Sequence, residues 1–208
     1  MEKTKRRQIN VYNFKIMKKN KIWICSLILT GFILVLSNGC KKNDDNNPAT
    51  LVIGQSYQGG IIAYILQTGD PGYDAKVQHG LIAAPIDQST GIIWYNGSNT
   101  ITGATAMALG TGNDNTQTIV ASQGAGNYAA KLCYDLVLGG YSDWFLPSKD
   151  ELNKLYLNRI SIGGFADGSY WSSTELTYSN SDCQNFHNGD QSNLDKDTPY
   201  RIRAIRTF

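Results

Sequence analysis

The stretch Gly139–Arg159, GGYSDWFLPSKDELNKLYLNR, constrains this chain more than any other. Ser148 and Glu151 stand at the S-x-x-E spacing of a capping box, Pro147 precedes the cap, and Leu152, Leu155 and Tyr156 follow as one apolar stripe. In such a box the serine oxygen accepts from the N–H three residues on, while the glutamate reaches back to the serine N–H, so a helix begins there. Upstream, Ala129, Leu132, Cys133, Leu136 and Val137 recur at i, i+3, i+4, i+7 and i+8, the stripe of a second helix. Gly139 and Gly140 offer the left-handed residues on which that helix stops. Residues Gly140 to Pro147 are then a tight connector, with Trp144, Phe145 and Leu146 expected in the groove between the two helices. Aromatic rings bury enough area to pin a loop that lacks ladder hydrogen bonds. The junction reads as a seam rather than a reactive site.

Strand signals lie on both sides of the helices. Gly54–Leu66 is a turn, a glycine pair and a β-branched run; His79–Asp87 and Gly91–Gly97 are two more short apolar runs bounded by turn residues. Thr100–Gly126 is rich in Gly, Thr, Asn and Ala, with a short helix expected around Ile119 and Val120, capped near Asn115 or Thr116. Three strands are expected after the helices, at Ser169–Glu175, Cys183–Gly189 and Tyr200–Phe208. In the last, Tyr200, Ile202 and Ala204 alternate with Arg201 and Arg203, so one face is apolar. No tandem repeat is visible, and the order β, α, α, β reads as α+β.

The N-terminal forty residues read as an address rather than a fold. Lys18, Lys19 and Lys21 precede an apolar run from Ile22 to Leu36, and Ser37-Asn38-Gly39-Cys40 follows. A basic start, a short apolar core and small residues before a cut site describe a secretory signal, and the run falls short of the about 20 residues of a membrane span. Met17, directly before two lysines, is a candidate true start. Cys40 sits as the lipidated cysteine of a lipobox does, although Ser37 occupies a position where leucine is usual; an ordinary signal peptide is the alternative. The polar run Lys41–Pro48 that follows is tether-like. The expected organisation is a lipoprotein signal at 1–39, lipidated Cys40 and tether at 40–52, and one domain at 53–208. Two acyl chains supply the two signals that stable membrane anchoring needs. The expected location is the outer membrane, lipid-anchored and facing outward.

Removing the leader reverses the charge. The whole chain is +2, but 8 of its 19 Lys/Arg and 1 of its 17 Asp/Glu lie in residues 1–40, so the remainder is close to −5. A nucleic-acid partner loses its electrostatic support. Cys133 and Cys183 remain, either as a disulfide or as two buried thiols.

The sequence offers little for catalysis. His79 and His187 have no His or Cys at ligand spacing. Ser172-Ser173-Thr174-Glu175 lacks a G-x-S-x-G elbow, and its hydroxyls are expected on backbone groups at a strand end. Asp190, Asn193, Asp195 and Asp197 are oxygen donors at loop spacing and form a calcium candidate, with a solvated turn as the alternative. Tyr170, Tyr178 and Asn180 are the candidate surface ligands, in or beside the turn-rich segment 177–182, with Trp171 expected on the same face. Arg201, Arg203 and Arg206, with Arg159, make the one basic cluster; Arg201 and Arg203 are candidates for ligand binding or for ion pairs at the core edge. No cofactor and no catalytic residue is expected.

The segments GGIIAYIL, GYDAKVQHGLIAA, GNYAAKLCYDL, GGYSDWFLPSKDELNKLY, YWSSTE, QNFHNG and RIRAIRTF, spread over Gly54–Phe208, resemble the Lcl C-terminal-domain family. The resemblance implies a single C-type-lectin-like domain of the formylglycine-generating-enzyme type, two helices flanking a small twisted, mostly antiparallel sheet. It implies adhesion, because the family's namesake is the terminal domain of a collagen-like adhesin that binds sulfated glycosaminoglycans. This chain departs from that adhesin in having no Gly-X-Y tract and an acidic domain. The expected function is a non-enzymatic surface module for glycan or protein ligands; the alternative is a structural envelope or fimbria-associated component without a soluble ligand.

Overall fold

The structure, a computed structural model, describes residues 50–208. The leader, Cys40 and the tether up to residue 49 lie outside the described residues. No helix among those described is long and apolar enough to cross a membrane.

The fold is α+β, as expected, with two mostly antiparallel sheets where one was expected. Strands β1 (Ser56–Tyr57), β2 (Gly60–Ile65), β3 (Gly80–Ala83) and β9 (Ile205–Thr207) form the first, in the order β1-β2-β3-β9. Strands β4 (Ser89–Ile92), β8 (Tyr200–Ile202), β5 (Ser169–Glu175), β6 (Asn180–Asn185) and β7 (Gln191–Asp195) form the second, in the order β4-β8-β5-β6-β7. Among the described residues only the pair β5–β8 is parallel. The expected closing strand is split, because the chain leaves one sheet after Ile202 and enters the other at Ile205, with Arg203 and Ala204 buried at the crossing.

Four helices occur among the described residues: α1 (Gly112–Gln123), α2 (Ala129–Tyr134), α3 (Lys149–Leu157) and α4 (Arg159–Ile162). Helix α1 starts at Gly112, ahead of the Asn115 or Thr116 cap expected for it. Helix α2 ends at Tyr134, earlier than its stripe implied, so Val137 is 71% exposed. Gly139 and Gly140, both with positive φ, instead turn the chain back on itself, and Leu138 pairs with Tyr141 across them. This turn meets the β1–β2 turn closely: a Cβ on Gly139 would stand 2.3 Å from Gly59 Cα. Gly139→Ala is therefore expected to destabilise the fold by about 1–3 kcal/mol, measurable by urea denaturation.

Helix α3 carries the capping box in full: the Ser148 side chain accepts from the Glu151 N–H, and Glu151 Oε2 accepts from the Ser148 N–H at 2.8 Å. Glu151 does more than cap. It is fully buried, and its Oε1 accepts from the Gly110 N–H at 2.9 Å, tying the approach to α1 onto the start of α3. Burial raises its carboxyl above the ordinary range, against the lowering effect of the surrounding N–H groups.

The tryptophan-proline junction is buried, as expected, with Trp144 2% exposed. Its position differs: it is an extended segment lying along β9, not a plug between two helices. Phe145 exchanges backbone hydrogen bonds with Ile205 at 2.8 and 2.9 Å. The Leu146 N–H donates to Thr116 Oγ1 at 3.0 Å. Because extended residues alternate sides, Trp144 and Leu146 enter one apolar cluster, with Ile82, Trp94 and Trp171. Phe145 enters the other, with Leu81, Leu152 and Leu155. The junction stitches two cores together.

Candidate functional site

The residues singled out from sequence separate into a buried group and an exposed one. Tyr170, Arg201 and Arg203 converge on a single carboxylate, Asp87, which sequence reasoning had passed over. Asp87 Oδ2 accepts from the Tyr170 hydroxyl at 2.9 Å and from Arg201 Nη1 at 3.1 Å; Oδ1 accepts from Arg203 Nε at 2.7 Å. Arg203 also donates to the carbonyls of Ala84 at 3.0 Å and Gly164 at 2.6 Å, and its guanidinium lies 4.2 Å from the Phe165 ring centroid. Tyr170 and Arg203 are both 0% exposed. Burial, with Asp87 alongside, pushes the Tyr170 phenol up to about 12. Neither residue is available to a ligand, and the candidate roles given to them are corrected: they close the core where β3, β5 and β8 meet. Arg201 is half-buried and bonded to the same carboxylate.

The rest of the basic cluster is engaged too. Arg206 grips Asp143 through Nε and Nη2, at 2.7 and 2.8 Å, over the Tyr141 ring. The Arg206 hydrogen bond, outweighing desolvation, holds the Asp143 carboxyl below its usual range. Arg159 lies over the Tyr156 ring and donates to the Tyr156 carbonyl. All four arginines of the cluster have partners within the chain.

The calcium candidate is also corrected. Asn193 and Asp195 lie on β7, an edge strand that sequence reasoning took for a loop. Asp190 directly precedes that strand and Asp195 is its last residue; extended backbone advances about 3.4 Å per residue, so they stand roughly 17 Å apart. Asp195 Oδ1 accepts from Asn180 and Asp190 Oδ2 from Asn188. Among the described residues no group of three His, Cys, Asp or Glu side chains is placed to hold a metal ion. Cys133 and Cys183 are buried free thiols, and burial pushes both upward. Trp171, expected near the surface, is 0% exposed, with its indole N–H on the Ile92 carbonyl at 3.0 Å. The hydroxyls of YWSSTE do serve the backbone: Ser172 donates to the Asp182 carbonyl at 2.8 Å and Thr174 to that of Ala106 at 2.9 Å.

The exposed Tyr178 stands over a second buried ion pair. Lys196 Nζ lies 2.6 Å from Glu175 Oε1, and both side chains are essentially inaccessible. The ammonium also donates to the carbonyls of Thr100 at 3.2 Å and Tyr178 at 3.0 Å, and stands 4.7 Å from the Trp94 ring centroid. Glu175 Oε2 accepts from the N–H groups of Thr102 at 2.8 Å and Gly103 at 2.9 Å. Desolvation alone raises the Glu175 carboxyl, but these donors and the ammonium outweigh it and hold it below its ordinary value. One lysine and one glutamate thus fasten two loops, residues 98–103 and 176–180, from beneath.

Above the pair the loops present apolar groups to water: Ile101 68% exposed, Leu176 42% and Tyr178 58%. Asn180 shapes the β5–β6 turn from within, its backbone carbonyl accepting from Leu176 and Thr177 and its Oδ1 from Ser179. Of the candidate ligand residues, Tyr178 is the one standing in solvent with a free face, and Asn180 supports it. Glu175 had been weighed only for catalysis, and Lys196 and Ile101 had not been singled out. A lysine inside an otherwise polar loop gives no local sign of being buried.

Residues 84–206 match the Lcl C-terminal domain family. In structure the chain is similar to a fimbrial protein from Bacteroides ovatus ATCC 8483, with 15% sequence identity and a TM-score of 0.48. That likeness covers 70% of this chain and 43% of the fimbrial protein, so this chain spans less than half of its length. No curated protein matches the sequence. Since the family match takes in more than half of the 208 residues, and runs from Ala84, just ahead of Asp87, through the junction to Arg206, the chain belongs to the Lcl C-terminal domain family.

Proposed function

We propose that this protein is a non-enzymatic binding module, displayed by a lipid anchor on the outer face of the outer membrane, that recognises a glycan or protein ligand through loops 98–103 and 176–180. The observation that carries this reading is the Lys196–Glu175 pair: it ties two loops down through four backbone groups while Ile101, Leu176 and Tyr178 stay in water. Rigid loops lose little conformational entropy on binding, which is what preorganisation supplies to affinity. A tyrosine with an apolar face and a polar tip suits either a sugar ring or a protein surface. The Asp-bound arginines and the acidic balance favour neutral or basic ligands over sulfated polymers. The anchor and the location rest on Cys40 and the leader.

The test is a glycan array together with binding to whole cells, using the full chain. Binding is expected to fall at least tenfold in Tyr178→Ala, with the urea midpoint unchanged, because an exposed ring contributes little to the fold. Silence on the array and on cells, with stable co-purification of envelope proteins, would point instead to a structural component.

A further inference from the structure

A second feature, on the first sheet, is independent of those loops. The connection between β2 and β3, residues 66–79, contains neither helix nor strand. Loops of this length without regular structure are uncommon in compact domains and are usually functional. Polar contacts help to hold it. Asp70 Oδ2 accepts from the Tyr64 hydroxyl at 2.6 Å and from the Gln67 N–H at 2.8 Å, and the Leu66 N–H closes the base on the His79 carbonyl at 2.8 Å. Beside it the loop leaves a cavity of about 260 Å³, walled by Leu66, Pro71, Leu81, Leu109 and Phe208.

Size and lining restrict the occupant. A dry apolar cavity of about 150 Å³ admits benzene, and drug-sized ligands need upwards of about 300 Å³. The cavity therefore takes one substituted ring, and neither a helix nor a strand. His79 and Thr207 are the polar side chains on its wall. His79 Nδ1 lies 3.2 Å from the Phe208 carbonyl oxygen. A carbonyl only accepts, so Nδ1 carries the proton, and in the neutral ring Nε2 is left as an acceptor.

We infer that this cavity binds a small neutral amphiphile, a single apolar ring bearing a hydroxyl, with the ring against Leu66, Leu81 and Leu109 and the hydroxyl donating to His79 Nε2. Phenol and toluene, similar in size and differing in that hydroxyl, are the probes. Both are titrated into the full chain at pH 8 and followed by backbone amide NMR. Saturable shifts are expected in residues 66–81, 109–110 and 207–208, with phenol on the order of fivefold to tenfold tighter than toluene. His79→Leu is expected to erase that preference while toluene still binds. Leu109→Phe is expected to fill the space and abolish both, and Leu66→Phe serves as a second filling variant, a dispersed amide spectrum confirming the fold of each. The absence of saturable shifts in those residues, or a phenol preference that survives His79→Leu, would overturn the assignment. Either outcome leaves the Tyr178 experiment untouched.

Discussion

Lys196→Met is expected to cost about 3–5 kcal/mol, a large share of the stability of a domain this size. The substitution keeps most of the aliphatic stem and removes the ammonium, so Glu175 is left ionised and buried. The carbonyls of Thr100 and Tyr178 lose a donor at the same time. Removing one member of a buried pair is far more damaging than replacing both, so Lys196→Met with Glu175→Leu is expected to recover part of the loss. The size of the effect depends on pH, with a definite sign. A carboxyl whose folded pKa is depressed contributes stability that is present above its unfolded value and lost as pH falls through the folded one. Glu175 is such a group. The gap between wild type and Lys196→Met is therefore expected to be widest near neutrality and to narrow below about pH 4.3, measured by urea denaturation across a pH series. A gap that stays constant down to pH 2 would show that the pair does not hold the loops.

Trp144→Ala is expected to cost about 3–5 kcal/mol by opening a cavity in a packed core. The ring is one of the largest fully buried side chains, it sits 3.1 Å from the position a Cβ on Gly60 would take, and its N–H donates to the Leu138 carbonyl at 3.3 Å. Phe145→Ala strikes the other cluster. Because Phe145 and Trp144 are adjacent and share one backbone segment, their costs are expected to be non-additive, a departure that a double-mutant cycle in urea reads directly. If Trp144→Ala lost less than about 1 kcal/mol, the junction would not be a seam.

Several of the segments that carry the family resemblance hold the fold together. Asp143 of GYSDW meets Arg206 of RIRAIRTF; Ser148 and Glu151 of PSKDE cap a helix; Ser172 and Thr174 of YWSSTE serve backbone groups. In this chain the exposed groups proposed for recognition, Ile101 and Tyr178, lie on loops outside those segments. Such a division lets one scaffold carry different loop chemistries.

How much was legible follows from the range of each interaction. The capping box and the β2 and β5 strands were readable, because capping reaches three residues and side-chain alternation reaches two. Strand β7 was not. Its residues Gln191, Ser192 and Asn193 are exposed and polar, and it is a strand because β6 offers it a ladder. Strand propensity is mostly a response to neighbours. Val137 fitted the α2 stripe by spacing, yet the helix ended three residues earlier.

By itself the sequence determined the α+β class, the helix start at Ser148, the family and the acidic balance of the domain, since each depends on composition or on contacts within a few positions. Only the tertiary structure decided that Arg203 and Tyr170 are interior residues joined through Asp87, that Lys196 is buried beneath two loops, and that Tyr178 is left facing water. The Arg203–Asp87 contact spans 116 positions, and a charged side chain is stable in the interior only where a partner arrives to meet it. That arrival is a property of the folded chain, with no local trace in the residues around it.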